Sequence, residues 1–214
     1  MKTLNSLLKP LLKPLLKPRF RHLGLLLILC LGLSASPVFA SGADSFVKNH
    51  AEKVLAKVLA NKAGLKANPE SLYSLISSSV LPHVDFHSMS QSVLGKHWGS
   101  ASSAERNAFV GEFRQLLVRT YGTALLNYSG EQIEYKPAQV NGSYAVVRTR
   151  VPRSGGSPVS IDYRLRGSGN NWKVVDIKVG GVSLVSNYRT SFGSKASQIG
   201  VSGLIKELKA KNAG

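Results

Sequence analysis

The sequence predicts an α+β fold, a four-stranded antiparallel meander with helices packed on one face. Three observations carry that expectation. Apolar residues recur at helical spacing up to about residue 130, alternate strictly between 131 and 179, and return to helical spacing from about 182. Turn-forming residues fall where the period changes. The alternating stretch is itself divided by three short turns, so its strands are antiparallel neighbours.

The elements follow in order. A first helix is expected over 44–61, with Phe46, Val47, Ala51, Val54, Leu55, Val58 and Leu59 on one face. Asn68-Pro69-Glu70 starts a second, with an N-cap, a proline at the first helical position and an acid in the first turn. Its apolar positions are Leu72, Leu75, Ile76 and Val80, and Pro82 ends it. A third helix is expected over 85–96. The longest begins at Ser102, where Ser-Ser-Ala-Glu105 is a capping box. Phe109, Phe113, Leu116, Leu117, Tyr121, Leu125 and Tyr128 continue its stripe to Ser129-Gly130, a span of about 40 Å. Ile133 and Tyr135 begin the alternation, and Asn141-Gly142 signals a hairpin. Val147, Thr149 and Val151 then alternate with Arg148 and Arg150. Val159, Ile161, Tyr163 and Leu165 alternate with Ser160, Asp162, Arg164 and Arg166. A fourth strand runs over 172–179, and helices over 182–192 and 204–211 complete the chain. Periodicity leaves open whether the helical stripe and the apolar sheet face touch or hold a ligand between them.

The first forty residues are expected to be a secretory signal and not part of the fold. Six basic residues and no acid precede a thirteen-residue apolar run over 23–35, and Val38-Phe39-Ala40-Ser41 is a small-residue exit. The run is shorter than the roughly 20 residues that a spanning helix needs. Cys30, the only cysteine, lies inside it, so the 174 residues of 41–214 hold no thiol and are read as a single domain. That part carries 22 basic and 11 acidic residues, a net charge of +11, which favours anionic partners. Export argues against nucleic acid, and no nucleic-acid-binding motif is present.

Catalytic patterns are poor. His83-Val84-Asp85-Phe86-His87 is the best metal candidate, but it follows a helix and a proline, where Asp85 reads as an N-cap. His50 and His97 are expected to be isolated and exposed. No nucleophile elbow, nucleophilic cysteine or phosphate-cradling glycine loop occurs. No catalytic residue, metal or cofactor is therefore expected.

Several stretches together resemble one family. They are 68–72 (Asn-Pro-Glu-Ser-Leu), 80–84 (Val-Leu-Pro-His-Val), 93–98 (Val-Leu-Gly-Lys-His-Trp), 114–122 (Arg-Gln-Leu-Leu-Val-Arg-Thr-Tyr-Gly), 171–176 (Asn-Trp-Lys-Val-Val-Asp) and 181–184 (Gly-Val-Ser-Leu). In this order they are similar to MlaC, the toluene-tolerance family of periplasmic phospholipid carriers of the Mla pathway. The resemblance implies helices and sheet enclosing an apolar pocket, with phospholipid as cargo and no enzymatic activity. It also implies a shuttle that maintains outer-membrane asymmetry, working between an outer-membrane lipoprotein complex and an inner-membrane ABC transporter with an MCE-domain subunit. A monomer is expected. The inward positions of sheet and long helix, Phe113, Leu117, Tyr121, Val147, Val151, Ile161, Tyr163 and Ile177, would line the tail cavity. The alternatives are a chaperone or binding module for another apolar cargo, and an enzyme with a hydrolytic pocket on a similar scaffold.

Overall fold

The computed structural model describes residues 42–153 and 156–213; the expected signal over 1–40, with Cys30, lies outside them. Helix α1 (Ala43–Ala60) buries Val47, Val54, Leu55 and Val58 on one face, and a short α2 (Lys62–Ala67) follows. Helix α3 (Pro69–Ser79) starts as its sequence dictates. The Asn68 side chain accepts from the backbone N–H of Glu70 at 3.0 Å and of Ser71 at 3.3 Å. A 3-10 turn, Leu81–His83, leads to α4 (Phe86–Leu94). The expected third helix breaks at Gly95, whose φ of 55° no helix accommodates, and resumes as α5 (Lys96–Ser100).

Helix α6 (Ser103–Tyr121) has both halves of its capping box, Ser102 and Glu105. It stops seven residues short of the expected end, because Gly122–Asn127 winds more tightly as a 3-10 segment. The two segments approach closely there: a Cβ on Gly122 would stand 2.7 Å from Ile76 Cδ1 of α3, so a larger residue would make that side chain shift. The last helix, α7 (Leu184–Ala213), joins the two expected terminal helices across the intervening residues. Its only break is at Gly200, with φ 74° and ψ 171°.

Six strands form one sheet: β1 (Glu134–Tyr135), β2 (Gln139–Asn141), β3 (Tyr144–Arg153), β4 (Gly156–Ser168), β5 (Asn171–Val179) and β6 (Val182–Ser183). The long strands β3, β4 and β5 are the expected antiparallel meander. The expected first strand is reduced to two short pieces, β1 and β2, both pairing with β3. The first hairpin turns at Gly142-Ser143 instead of Asn141-Gly142, since Asn141 pairs with Tyr144. Gly180-Gly181 makes the β5–β6 turn with φ of 58° and 84°, a pair of left-handed residues that glycine adopts without a Cβ penalty.

One irregularity decides which side chains share a face. Arg164 pairs with Asp176 and Leu165 with Val174, so Val175 is an extra residue and β5 bulges. Trp172 and Val174 before the bulge, and Ile177 and Val179 after it, therefore lie on the same inner face as Leu165, Tyr163 and Ile161.

Three separate hydrophobic clusters make the core. The first is wholly helical: Phe109, Phe113 and Leu116 of α6 meet Met89 and Val93 of α4 and Leu204 and Leu208 of α7. The second joins Ala43 and Val47 of α1 to Ala145, Val147, Leu165, Trp172 and Val174 of the sheet. The third joins Val58 and Leu65 to Leu72 and Ile76. The stripe of α6 thus packs on α4 and α7 and not on the sheet. The role expected of α6 at the sheet falls to α1.

Asp85 ties the helices to the sheet. It caps α4 by accepting from Ser88 N (2.9 Å) and Ser88 Oγ (2.8 Å), and pairs with Arg166 of β4 at 2.7 Å. Burial raises its carboxyl, but the two Ser88 hydrogen bonds and then the Arg166 and His87 charges outweigh that, leaving it below the usual aspartate value. With a lowered folded-state value, its contribution is full above the unfolded aspartate value and disappears as pH falls through the folded one. Asp85→Ala is expected to cost about 1–2 kcal/mol at pH 7, with a smaller difference from wild type at pH 3, read by urea denaturation at both pH values.

Candidate functional site

The first and second clusters meet at Val84, but the three do not close fully on one another, and a cavity of about 830 Å³ lies between them. This is near the upper end of the roughly 300–1,000 Å³ range of ligand pockets and far larger than a packing defect. Its walls come from all three clusters: Val54 and Leu55 of α1, Ile76 of α3, Met89 of α4, and Leu117 and Val118 of α6. The sheet supplies Val151, Val159, Ile161, Tyr163, Val174, Ile177 and Val179. The inner face of the sheet is therefore divided. The half with Ala145, Val147 and Leu165 is sealed by the start of α1, and the half with Val151, Val159 and Ile161 faces the open space.

Of the eight residues expected to line a cavity, the structure brings six together there: Leu117, Tyr121, Val151, Ile161, Tyr163 and Ile177. Two are elsewhere. Phe113 is fully buried in the helical cluster, stacked on Phe109 at 5.7 Å and met by Tyr188 at 5.3 Å, because that turn of α6 faces α7. Val147 is fully buried beneath α1, in the sealed half of the sheet. The contribution of α1, the 3-10 segment and residues 79–89 was not foreseen. The apolar face of α1 was legible, but not that it would lie against the sheet. Tyr121 and Val179 remain 37% and 40% exposed while lining the cavity, which places them at its mouth. The Tyr163 ring is partly accessible from the cavity, yet its hydroxyl is enclosed by protein, and burial pushes it up to about 12.

Polar groups at the wall are few. The His50 and His83 rings meet at a tilt of 56° with centroids 3.7 Å apart, and His50 is half-buried and paired, contrary to expectation. Burial, followed by the positive charges of His50, Lys173 and Lys53, lowers the His83 imidazole from its ordinary value. His97 is also engaged, with Nε2 3.2 Å from Ser197 Oγ. The expected metal candidates diverge: Asp85 caps α4, and His87 lies edge-on to Trp98 at 5.0 Å. Among the described residues no three His, Cys, Asp or Glu side chains could hold a metal ion together. No described helix is long and apolar enough to cross a membrane.

On the outer sheet face the arginines are exposed but not free of neighbours. Arg148 lies 3.9 Å from Asp162, Arg150 is opposite Glu134, Arg164 stands over the Tyr144 ring at 4.7 Å, and Arg166 holds Asp85.

Residues 48–210 match the family model described as MlaC protein. The chain is 28% identical over 177 residues to the toluene tolerance protein ttg2D of Pseudomonas putida, covering 82% of each. It is 27% identical over 165 residues to the intermembrane phospholipid transport system binding protein MlaC of Haemophilus influenzae, covering 74% of this chain and 77% of that one. The phospholipid-binding protein from Ralstonia solanacearum, solved in complex with a phospholipid, superposes with a TM-score of 0.73 at 32% identity. That match covers 80% of this chain and 97% of the other.

Proposed function

The chain belongs to the MlaC protein family, and on that premise we propose that it is a phospholipid carrier that holds acyl tails in the cavity between its three apolar clusters. The observation that carries this reading is the cavity itself, about 830 Å³ and walled largely by branched aliphatic side chains. A diacyl lipid has on the order of 30 methylenes, each costing about 0.8 kcal/mol in water. Extraction into water therefore requires a site that covers the tails almost completely. The phosphate demands the opposite, since burying an unpaired charge is costly. Tails inward and headgroup at the rim satisfy both.

The carrier works in the periplasm after export, between an outer-membrane lipoprotein complex and an inner-membrane ABC transporter with an MCE-domain subunit, and it acts as a monomer. Its task breaks no bond, so it needs no nucleophile, metal or poised acid. Release requires the mouth at Tyr121 and Val179 to open, and the 3-10 segment that follows Tyr121 is a suitable hinge.

Organic extraction of the purified protein followed by mass spectrometry tests the proposal. Phospholipid near one equivalent is expected, and chelator treatment should leave loading and transfer to vesicles unchanged. Recovery of a different apolar cargo would identify a binding module of another kind. An empty protein that hydrolyses lipid esters would make it an enzyme.

A further inference from the structure

We propose that the half-buried His50 and His83, flanked by the exposed Lys53 and Lys173, form a recognition site for a phosphate oxyanion at the rim of the cavity. The proposal deepens the carrier reading, on which it rests for the placement of tails beside the site. Four basic side chains from three elements stand together here: Lys53 follows His50 by one turn of α1, and Lys173 of β5 donates to the carbonyl oxygen of Pro82, next to His83 in the 3-10 turn. The imidazoles touch at 3.7 Å, and Phe46 lies edge-on to His83 at 5.7 Å. Both histidines line the cavity. Two imidazoles in contact at an apolar wall, with two ammonium groups near them, leave the charged form of His83 disfavoured.

The orientation of His50 is set. Its Nδ1 donates to the Phe46 carbonyl oxygen at 2.7 Å, since a carbonyl can only accept. That leaves Nε2 to act as a donor once the ring is charged. Among the described residues no acid forms an ion pair with the cluster; Glu131, which lines the same cavity, accepts from Ser129 N. Asp85, two residues from His83, is engaged by Ser88 and Arg166. The one acid of α3, Glu70, is at the far end of that helix, in a groove with Arg114 and Arg119. Lys57 is bonded to Ser79 of α3. Uncompensated positive charge against an apolar wall selects a ligand that is anionic at one end and apolar at the other. A phosphodiester supplies the missing charge, lets an imidazole protonate, and accepts hydrogen bonds from both rings and both ammonium groups.

The test follows the imidazole signals by NMR across a pH titration. The protein is compared when lipid-stripped, when loaded with phosphatidylglycerol, when loaded with diacylglycerol of the same chains, and when stripped in inorganic phosphate. Loading is verified by mass spectrometry. Phosphatidylglycerol should raise the His83 midpoint by about one pH unit, and diacylglycerol should leave it unmoved. The double variant His50→Gln/His83→Gln should lose about tenfold more affinity for phosphatidylglycerol than for diacylglycerol at pH 5.5. A midpoint raised by inorganic phosphate while neither lipid loads supports the site with free phosphate as its ligand and overturns the tail cavity. Phosphatidylglycerol loaded with an unmoved midpoint overturns the site and leaves the cavity standing. Silence toward phosphate with neither lipid loaded overturns both.

Discussion

Ile161→Glu is expected to empty the cavity while leaving the domain folded, whereas Val147→Glu unfolds it. The two positions are on the same inner face, on neighbouring strands two registers apart, since Ile161 pairs with Thr149 and Val147 with Tyr163. They differ in what covers them. Ile161 borders open space, so a glutamate there can keep its water until lipid tails displace it. The cost falls on loading: a desolvated carboxylate against methylenes costs several kcal/mol, and each 1.4 kcal/mol is tenfold in affinity. Phospholipid recovery should fall at least tenfold with an unchanged circular dichroism spectrum. Val147 is fully buried among Ala43, Val47 and Leu165, where no water reaches. A carboxylate there should remove most of the stability of an ordinary domain, roughly 5–15 kcal/mol in total. Loss of lipid at both positions together with loss of helical signal at both would show that the sheet has no open half.

Asp176→Ala should be the most destabilising polar truncation in the protein. This carboxylate is 7% exposed, and the bulge turns it away from the inner face of Trp172 and Val174, which it would share in an unbroken strand. Its Oδ1 accepts from the N–H of Ile177 at 2.8 Å and of Val185 at 3.1 Å, and its Oδ2 from Ser183 Oγ at 2.6 Å. Ser183 Oγ in turn accepts from Ser186 N at 3.0 Å, so the pair anchors the first turn of α7. Hydrogen bonds to an ionised group are worth about 1.5–3 kcal/mol each and are not additive here, which makes a loss of about 3–4 kcal/mol reasonable. For a domain of this size that is a drop in melting temperature of roughly 10 °C. Asp176→Asn keeps the acceptor for the two backbone donors and should lose about half as much. Scanning calorimetry of the two variants checks the order, and equal losses would assign the effect to charge instead of hydrogen bonding.

The bulge also marks where sequence reading reaches its limit. Alternation over 172–179 assigns Trp172 and Val174 to one face and Ile177 and Val179 to the other, because an unbroken strand has a period of two. One extra residue at Val175 merges the sets, and nothing in the side-chain pattern announces it. Caps were legible for the opposite reason. Asn68, Asp85 and Ser102 act on donors two or three residues away, so their chemistry is local. The order of helices and strands was legible too, since burial of one face imposes its period wherever that face is buried. The partner that buries a face is a long-range matter. Phe113 and Leu117 belong to one stripe, yet Phe113 meets α7 and Leu117 meets the cavity. The cavity was likewise invisible to periodicity, because a residue facing a void and a residue facing a neighbour are equally apolar.

Three clusters that stop short of one another leave the domain with part of its interior supplied from outside. In thermodynamic terms the cargo is then a constituent of the folded state. Whatever fills the space binds the native chain and not the unfolded one, so occupancy and stability rise together. The apolar walls of an empty molecule forgo the contacts that a filled one makes. Discharge of lipid thus returns the molecule to its less stable form, and the tendency to be refilled is built into the same walls that receive the tails.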